Sequence, residues 1–388
     1  MVKVLSLFSG IGAFEKALTN LNIPYELVGF SEIDKYASVS YCAIHNVSPH
    51  LNLGDITQID ENSLPKDIDL ITYGFPCQDI SMAGNQKGFF NEDNSKTRSG
   101  LFFDALRIIE ATQPKIAIAE NVKALTYKNF SKEFELVKQG LDEAGYNNYY
   151  QVMNGRNYGI PQNRERVFIV SIRKDIDNGS FKFPSPIELP ITLKDLLEEN
   201  VDEKYFLTKE QVEKIKTSTY NQNKTRVQEK DWCDTLCARD FRAPKCVKVA
   251  DFRYDEGLRI RKNNLSPTFT RSLGQATLSG QPLIIGSSQK NACINTEGIS
   301  PCLTSSMGSG GGNVPIHNYQ TRIRKLTPTE SFKLMGFTKE DCDKARAKLN
   351  ETFYKGSDRA NSQLYKQAGN SIIVNVVEFL LQSIIKFI

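Results

Sequence analysis

The feature that most constrains the fold is a regular alternation of short apolar runs with helical patterns over residues 1–173. The runs predicted as strands are Val2–Leu7, Glu26–Phe30, Asp69–Tyr73, Lys115–Ala119, Tyr149–Met153 and Val167–Ile172. The helical patterns between them are Phe14–Leu21, Lys35–His45, Gly100–Ala111 and Lys132–Ala144. Alternation at this spacing is typical of βαβ units. We therefore predict an α/β fold with a Rossmann-like, mostly parallel sheet and helices on both faces.

The middle of the chain follows a different pattern. Proline becomes frequent from Phe183 onward, and residues 186–320 are polar, basic and rich in glycine, with short β-prone pieces at irregular spacing. This composition predicts a smaller, β-rich irregular domain. Thr327, Pro328 and Glu330 then form a capping-box signal for a new helix. The predicted segments are 1–185, 186–320 and 321–388, the last returning to complete the first domain.

The charge distribution is uneven along the chain. The net charge is +4, yet residues 214–321 contain fifteen Lys and Arg against eight Asp and Glu, so the remainder sums to minus three. An excess of this kind favours contact with a polyanion, although a solvated surface would give the same count. Eight cysteines without regular spacing do not describe a disulfide framework, which predicts a reducing, cytoplasmic compartment.

The apolar segments at the two ends do not predict membrane insertion. The run Val2–Phe8 lacks a basic lead and a small-residue cleavage site, so it is not predicted to be a signal peptide. No apolar run is expected to be long enough to span a bilayer. The C-terminal residues 370–388 carry a narrow polar stripe at helical spacing, which predicts a core helix.

A cysteine follows the third predicted strand in a setting that favours chemistry. Gly74 and Pro76 end the strand, which places Cys77 on a loop at the carboxyl edge of the sheet, where ligands bind in open α/β folds. Its polar neighbours are Gln78, Asp79 and Ser81. A partly exposed thiol in polar surroundings is a candidate nucleophile. At this point a buried structural cysteine is an equally good interpretation.

The turn after the first strand predicts a nucleoside site. Gly10 and Gly12 permit a tight turn, but Glu15 is unsuited to a pyrophosphate at the start of a helix, so a nucleoside carrying positive charge fits better. Glu32, after the second strand, is placed to accept hydrogen bonds from ribose hydroxyls. Asp55 lies in the next connection and is placed to accept from an exocyclic amine.

Two further groups are predicted to share the crevice with Cys77. Glu120 follows the strand Lys115–Ala119, and an apolar pocket would keep its carboxyl protonated as a hydrogen-bond donor. Arg164 and Arg166 share one face of the next strand by period-two geometry, which suggests recognition of a carbonyl or a phosphate. The alternative for Glu120 is an ordinary turn or helix-cap carboxylate.

Together these motifs resemble the DNA cytosine-5 methyltransferases. The motifs, in the order seen in that family, are Phe8-Ser-Gly-Ile-Gly12, Gly74-Phe-Pro-Cys-Gln78, Arg98-Ser-Gly-Leu101, Glu120-Asn-Val122, Gln162-x-Arg-x-Arg166 and Gln367-Ala-Gly-Asn-Ser371. The resemblance covers the chain except residues near 186–318, and Ala13 stands where many relatives have a third glycine. It implies S-adenosylmethionine as methyl donor and a cytosine flipped from duplex DNA as acceptor.

The resemblance also assigns roles to individual residues. The implied catalytic residues are Cys77, Glu120, Arg164 and Arg166. The implied cofactor-binding residues are Phe8, Gly10, Gly12, Glu32, Asp55, Leu101 and Asn370. The basic segment would be a target-recognition domain, with the neighbourhood of Thr235–Leu236 or of Leu303–Thr304 beside the flipped base. The expected protein is a monomeric, nucleoid-associated enzyme of the restriction-modification type, paired with an endonuclease.

Three alternatives remain at the level of sequence. Cys233, Cys237 and Cys246 could be zinc ligands, but they lack paired Cys-x-x-Cys spacing, so we predict no metal site. A related branch of the family suggests tRNA as the substrate, against which the long basic segment favours DNA. A catalytically inactive, sequence-specific DNA-binding regulator is disfavoured because a protein that only binds DNA does not need a thiol at position 77.

Overall fold

The computed structural model describes residues 1–77, 79–80, 88–93, 95–208, 210, 236 and 324–388 with their side chains, together with the backbone of several short strands between residues 233 and 323. The chain divides into two compact units. Unit 1 comprises Met1–Leu189, Met335–Ala360 and Asn370–Ile388, and unit 2 comprises Pro190–Leu334 and Asn361–Gly369. The functional partition at residues 185 and 320 stays a prediction.

Unit 1 is built on a six-stranded sheet with the order β2-β1-β3-β4-β7-β5. Its strands are β1 (Val2–Leu7), β2 (Tyr25–Ser31), β3 (Leu70–Tyr73), β4 (Ile116–Val122), β5 (Tyr146–Asn154) and β7 (Glu165–Arg173), with the short β6 (Gln162–Asn163) preceding β7. The pairs among β1 to β4 are parallel, whereas β7 runs antiparallel to both of its neighbours. The predicted α/β fold with a mostly parallel sheet is confirmed.

Helices connect and flank these strands. The α-helices of the described chain are α1 (Ala13–Asn20), α2 (Lys35–His45), α3 (Phe102–Thr112), α4 (Ser131–Glu143), α5 (Leu193–Leu196), α6 (Pro328–Lys333), α7 (Lys339–Tyr354), α8 (Asn361–Asn370) and α9 (Val374–Ile384). Short 3₁₀ turns lie at Pro49–Leu51, Ile56–Gln58, Ser99–Leu101, Lys123–Thr126, Lys128–Phe130, Gly155–Tyr158, Glu203–Tyr205 and Ile385–Phe387. Side-chain caps fix several starts; at α2, the Asp34 carboxylate accepts from the backbone N–H of Tyr36 at 2.9 Å.

Both faces of the sheet are buried. Leu5, Ile71 and Ala117 belong to one apolar cluster together with α3 and α4. The alternate residues of the same strands, such as Val4 and Ile118, are also fully buried and point to the opposite face. Burial on both faces explains why the strands are continuous apolar runs in the sequence rather than alternating ones.

One strand end differs from the prediction in a way that matters for the site. β4 was expected to stop at Ala119, but it continues to Val122, so Glu120 lies within the strand rather than after it. The cause is the antiparallel neighbour β7, which pairs Glu120 with Phe168 and Val122 with Arg166. A carboxylate on a paired strand is held more rigidly than one on a loop.

Unit 2 contains a three-stranded antiparallel sheet with the order β12-β9-β15. Its remaining strands are short; the strands of this part of the chain are β8 (Cys233–Asp234), β9 (Cys246–Val249), β10 (Asp251–Arg253), β11 (Gly257–Arg259), β12 (Leu283–Ile285), β13 (Ser287–Ser288), β14 (Asn291–Ala292) and β15 (Arg322–Lys325). The capping box predicted at Thr327 and Glu330 is confirmed at the start of α6. Thr235, Leu303–Thr304, Cys237 and the side chains of Cys233 and Cys246 lie outside the described residues.

The C-terminal stretch Asn361–Phe387 is long and apolar enough to cross a bilayer by length and composition, contrary to the expectation from sequence. Core helices of soluble proteins meet the same requirement, and 56% of the apolar window is buried inside the protein. Within unit 1, α9 buries Val377, Leu380 and Leu381 and leaves Gln382 exposed. The polar stripe predicted for a core helix is therefore present.

Candidate active site

The turn between β1 and α1 has an unusual backbone. Phe8, Gly10 and Gly12 all have positive φ, at 53°, 58° and 79°. Glycine adopts this region without steric cost, whereas a bulky residue such as phenylalanine rarely does. The turn is anchored where Ser9 N–H donates to the carbonyl of Ser31 at 3.0 Å. Its shape is thus fixed by the end of the neighbouring strand β2.

Gly12 is required by packing as well as by conformation. A Cβ atom at this position would clash with Nε2 of His45, and this nitrogen lies 3.0 Å from the carbonyl oxygen of Ile11. Burial lowers the pKa of His45 to about 4, so the neutral imidazole donates its N–H to that carbonyl. The His45 ring therefore packs against the glycine turn and donates a hydrogen bond to it.

Glu15 does not occupy the position that the sequence argument gave it. Its side chain is 1% exposed, and burial raises the pKa of its carboxyl. A buried acid in the first turn of α1 is not presented to a ligand at the mouth of the turn. The premise that Glu15 would face a pyrophosphate is therefore wrong.

Two further acidic residues were predicted to lie near this turn: Glu32, directly after β2, and Asp55, directly before the 3₁₀ turn Ile56–Gln58. The carboxylate of Glu32 accepts from Gly10 N–H at 2.8 Å through Oε2 and from Asp34 N–H at 2.7 Å through Oε1. These bonds fix the orientation of the carboxylate against the glycine turn. Asp55 caps the 3₁₀ turn Ile56–Gln58, where its Oδ1 accepts from Thr57 N–H at 2.9 Å.

A cavity lies between the glycine turn and the middle of the sheet. It is lined by Ser6–Gly10, Ala13 and Phe14, Thr72–Gly74, Glu120 and Asn370–Ile372. Four of the residues singled out from sequence therefore border one space: Phe8, Gly10, Glu120 and Asn370. Leu101 ends the 3₁₀ turn before α3, and it packs against the apolar cluster.

The loop that carries Cys77 is tied to the sheet on both sides. Before it, the carbonyl of Phe75 accepts from Asn121 Nδ2 at 3.0 Å, and Asn121 is 2% exposed on β4. After it, Asp79 and Ser99 exchange hydrogen bonds between backbone N–H and side-chain oxygen, at 3.2 and 3.3 Å. Sequence reasoning quoted Asn121 within a motif but gave it no role. Gln78 and Ser81 lie outside the described residues.

Cys77 is a partly buried, free thiol surrounded by charge. Burial raises the pKa of this thiol, the carboxylate of Glu120 raises it further, and Arg166 and Arg164 act in the opposite direction. The net effect is an increase, so the thiol is protonated in the free protein. All three charged groups therefore lie within electrostatic reach of the sulfur.

Glu120 is held by an arginine across the sheet. Arg166 Nε lies 3.1 Å from Glu120 Oε1, and the two side chains are 19% and 12% exposed. Arg166 pairs with Val122, so Glu120 stands diagonally opposite on the same face, which is the reach expected for long side chains. Burial raises the pKa of Glu120, while Arg166 and Arg164 counteract that increase. The Glu120 carboxyl therefore keeps a proton more readily than an exposed glutamate does, and the two arginines limit this effect.

Arg164 is positioned by the C-terminal part of the chain. It is 4% exposed, and its guanidinium donates to the carbonyl of Ser371 at 2.8 Å. Ser371 follows Asn370, so one short segment contacts Arg164 and also lines the cavity. The motif containing Ser371 was recognised in the sequence, but its link to Arg164 required the fold.

No group of three or more His, Cys, Asp or Glu side chains that could hold a metal ion occurs among the residues whose side chains the structure describes.

Comparison with known proteins shows the family of this chain. The family described as C-5 cytosine-specific DNA methylase matches residues 2–386. The chain is 35% identical to the orphan methyltransferase M.SPRI of Bacillus phage SPR, covering 99% of this chain and 97% of the phage protein. It is 30% identical to the type II methyltransferase M.HhaI of Haemophilus parahaemolyticus, covering 99% and 94% of the two chains.

Solved structures support the fold. The crystal structure of the S. pombe Dnmt2 methyltransferase has a TM-score of 0.59 at 19% identity and covers 100% of this chain and 99% of its own. A putative DNA modification methyltransferase encoded within an E. coli prophage gives 0.53 at 17% identity, with 100% and 99% coverage. With the family match over nearly the whole length, this chain belongs to the C-5 cytosine-specific DNA methylases and is a DNA (cytosine-5-)-methyltransferase.

Proposed function

We propose that this enzyme transfers a methyl group from S-adenosylmethionine to C5 of a flipped cytosine in a specific duplex DNA sequence, through a transient bond between Cys77 and C6 of the base. The observation that carries the proposal is the double placement of Glu120. This side chain lines the cavity beside Phe8 and Gly10, and its charge also acts on the Cys77 thiol. One residue therefore lines the cavity and also acts on the candidate nucleophile.

The residues around the cavity fit a nucleoside that carries a positive charge. Phe8, Gly10, Glu32 and Asn370 would hold the ligand, with Glu32 accepting from ribose hydroxyls. We further assign Gly12, Asp55 and Leu101 to the same binding region. When bound, the ligand would supply a methyl group activated by attachment to a sulfonium.

The side chains near Cys77 would activate the base. C5 of cytosine is a poor nucleophile, so the Cys77 thiol would first lose its proton to solvent, and Sγ would bond to C6 while Glu120 gives a proton to N3 and Arg164 donates a hydrogen bond to O2. The electron pair that reaches C5 would then form the new carbon–carbon bond as the bond between the methyl group and the sulfonium breaks and leaves its pair on that sulfur. Loss of the C5 proton to solvent returns the bonding pair of the Cys77–C6 bond to sulfur, and N3 returns its proton to Glu120. Arg166 holds Glu120 in place throughout.

The resting pKa values suit this sequence of events. Because the pKa of Cys77 is raised, the thiol stays protonated and unreactive before DNA is bound. Because the pKa of Glu120 is also raised, a larger fraction of its carboxyl carries a proton that can be donated than in an exposed glutamate. The base must leave the duplex to reach either group, which costs roughly a few kcal/mol.

We assign recognition of the duplex to residues 186–320, which contain the basic excess. Lysine and arginine there would bind phosphates, and a few side chains would read base edges. We propose a monomeric enzyme that acts in the cytoplasm on the nucleoid, with a restriction endonuclease as its functional partner. The 30% identity to the type II methyltransferase M.HhaI supports that pairing, whereas the 35% identity to the orphan methyltransferase M.SPRI is the observation against it.

Bisulfite sequencing of DNA from cells that express the protein tests the reaction. We expect methylated cytosines at a single recurring sequence and none in cells without the gene. In parallel, purified protein is given duplex DNA or tRNA with labelled S-adenosylmethionine. Transfer to tRNA alone would refute the proposed substrate, and transfer to neither would refute the proposed reaction.

A trapping experiment tests the covalent step. A duplex that carries 5-fluorocytosine at the identified site should form a stable adduct, because fluorine cannot leave as a cation. Cys77→Ser should abolish both the adduct and methyl transfer while still binding DNA. Cys42→Ser is a matched control, since Cys42 is another partly buried free cysteine in unit 1. An active Cys77→Ser enzyme would contradict the mechanism.

A further inference from the structure

Asn52 joins the segments that surround the glycine turn, although no motif in the sequence drew attention to it. Residues 52 and 53 run beside the end of β2: Asn52 forms a parallel bridge with Phe30, and Leu53 N–H donates to the carbonyl of Phe30 at 2.7 Å. Regular backbone pairing then ends. Glu32 lies two residues beyond Phe30, directly after the end of β2 at Ser31.

The side chain of Asn52 continues the pairing at that point. Its Oδ1 accepts from Glu32 N–H at 3.1 Å, and its Nδ2 donates to the carbonyl of Glu32 at 3.0 Å. The side-chain amide thus binds both main-chain polar groups of residue 32, as a peptide group of an adjacent strand would. Since the Glu32 carboxylate in turn accepts from Gly10 N–H, the position of residue 32 also affects the glycine turn.

The remaining hydrogen-bonding capacity of the amide is used as well. Oδ1 also accepts from Gly54 N–H at 2.9 Å, and Nδ2 also donates to Ser38 Oγ at 2.9 Å in the first turn of α2. An asparagine side chain has two donor hydrogens and an oxygen that accepts two bonds, so all four are satisfied. Neither aspartate nor alanine can reproduce this set of two donors and two acceptors.

We infer that Asn52 is a positioning residue for S-adenosylmethionine, which acts by holding the main chain of Glu32 so that the carboxylate keeps its place against the glycine turn. The inference rests on the proposed function, because it takes Glu32 as a contact of the methyl donor. In this proposal Asn52 does not contact S-adenosylmethionine itself but determines the position of Glu32, which does.

A purely structural role for Asn52 makes a different prediction. In that case loss of the amide would lower stability and weaken all activities alike. If Asn52 acts through Glu32, its effect on donor binding must disappear when Glu32 no longer contributes, because residues that act as a unit are not additive. Coupling between the two substitutions therefore separates the two roles.

The experiment measures binding of S-adenosylmethionine by calorimetry for wild type, Asn52→Ala, Glu32→Ala and the double variant, with thermal unfolding recorded without ligand. We expect Asn52→Ala to weaken binding by about tenfold, the effect of losing a hydrogen-bond set at a partly buried site. In the Glu32→Ala background the same change should alter binding less than about twofold. The KM for DNA should stay the same in Asn52→Ala.

Asn148→Ala is the matched control. Asn148 is also partly buried and donates from Nδ2 to two carbonyls, while accepting from Ser171 Oγ at 2.6 Å, but it lies on β5 at the opposite edge of the sheet. It should lower the melting temperature and leave donor binding unchanged. If Asn52→Ala does not fold, Asn52→Asp replaces it, since the carboxylate keeps both accepted bonds and loses both donated ones; weaker binding is again expected.

The outcomes separate the inference from the function on which it rests. If wild type does not bind S-adenosylmethionine, the proposed function fails. If wild type binds it and Glu32→Ala weakens binding, but the Asn52 variant binds as wild type does, the inference alone is overturned. Equal effects of Asn52→Ala in the wild-type and Glu32→Ala backgrounds would also overturn it.

Discussion

Replacing Glu120 with glutamine should make the Cys77 thiol more reactive while it makes the enzyme less active. Glu120 raises the pKa of Cys77, second only to burial, and Arg166 and Arg164 lower it. Removing the carboxylate eliminates the unfavourable charge. It also releases Arg166 from its ion pair at 3.1 Å, so that more of the arginine's charge acts on the sulfur. Both changes lower the pKa of the thiol.

The size of the effect depends on two opposing trends. Loss of the neighbouring carboxylate lowers the pKa of the Cys77 thiol, and the ion pair between Glu120 and Arg166 limits that change. Each unit by which a thiol pKa falls raises the thiolate fraction about tenfold at a pH well below the pKa. The intrinsic nucleophilicity of a thiolate falls by roughly threefold over the same unit, so alkylation should accelerate by about threefold for each unit. Methyl transfer should fall by about 100-fold or more, because glutamine is not an acid.

The assay is alkylation of the free enzyme by iodoacetamide at about pH 8, with Cys77 followed by peptide mass spectrometry. Glu165→Gln is the matched control: Glu165 is next to Arg164 and Arg166 in the chain, but its carboxylate is exposed and pairs with Lys123. The control should alkylate at the wild-type rate. If Glu120→Gln alkylates at or below the wild-type rate, the electrostatic account of Cys77 is wrong.

Two further predictions concern the glycine turn. The pKa of His45 falls from about 6.5 in the unfolded chain to about 4 in the folded protein, so the stability that neutral His45 contributes is complete above about pH 6.5 and is lost as the pH falls through about 4. His45→Gln should therefore remove up to about 3 kcal/mol of the loss of unfolding free energy at acid pH. His50→Gln, at an exposed position, is the control and should leave that loss unchanged. Gly12→Ala should lower the free energy of unfolding more than Gly179→Ala. Both glycines have positive φ, which costs an alanine about 1–2 kcal/mol, but a Cβ atom at Gly12 would also clash with His45, whereas a Cβ atom at Gly179 meets open space. Equal losses of unfolding free energy in denaturant would refute the packing role of Gly12.

Much of the candidate site could be predicted from the sequence because its signals are local. The glycine turn needs φ values that glycine adopts at no cost, and the break at Gly74 and Pro76 marks where a strand must stop. The βα alternation predicted the sheet, and the helix α2 was predicted at its observed bounds. The capping box at Thr327 is equally local, since its two hydrogen bonds span three residues.

Other features depended on contacts between distant parts of the chain. Glu15 was misinterpreted because its sequence position places it at the start of a helix, whereas packing decides that its carboxyl is buried. The strand β4 extends through Glu120 because β7 supplies hydrogen-bond partners in the antiparallel direction, and strand direction is not encoded in an apolar run.

The sequence by itself determined the fold class, the βα order and the motifs that include Cys77, Glu120 and Arg164, because propensity and turn chemistry act over a few residues. Tertiary structure alone decided which neighbours tune and hold these groups. Arg166 reaches Glu120 across 46 residues, and Asn52 reaches the main chain of Glu32 across 20. Such partners have no fixed spacing in sequence, since their distance is set by strand order and register after folding.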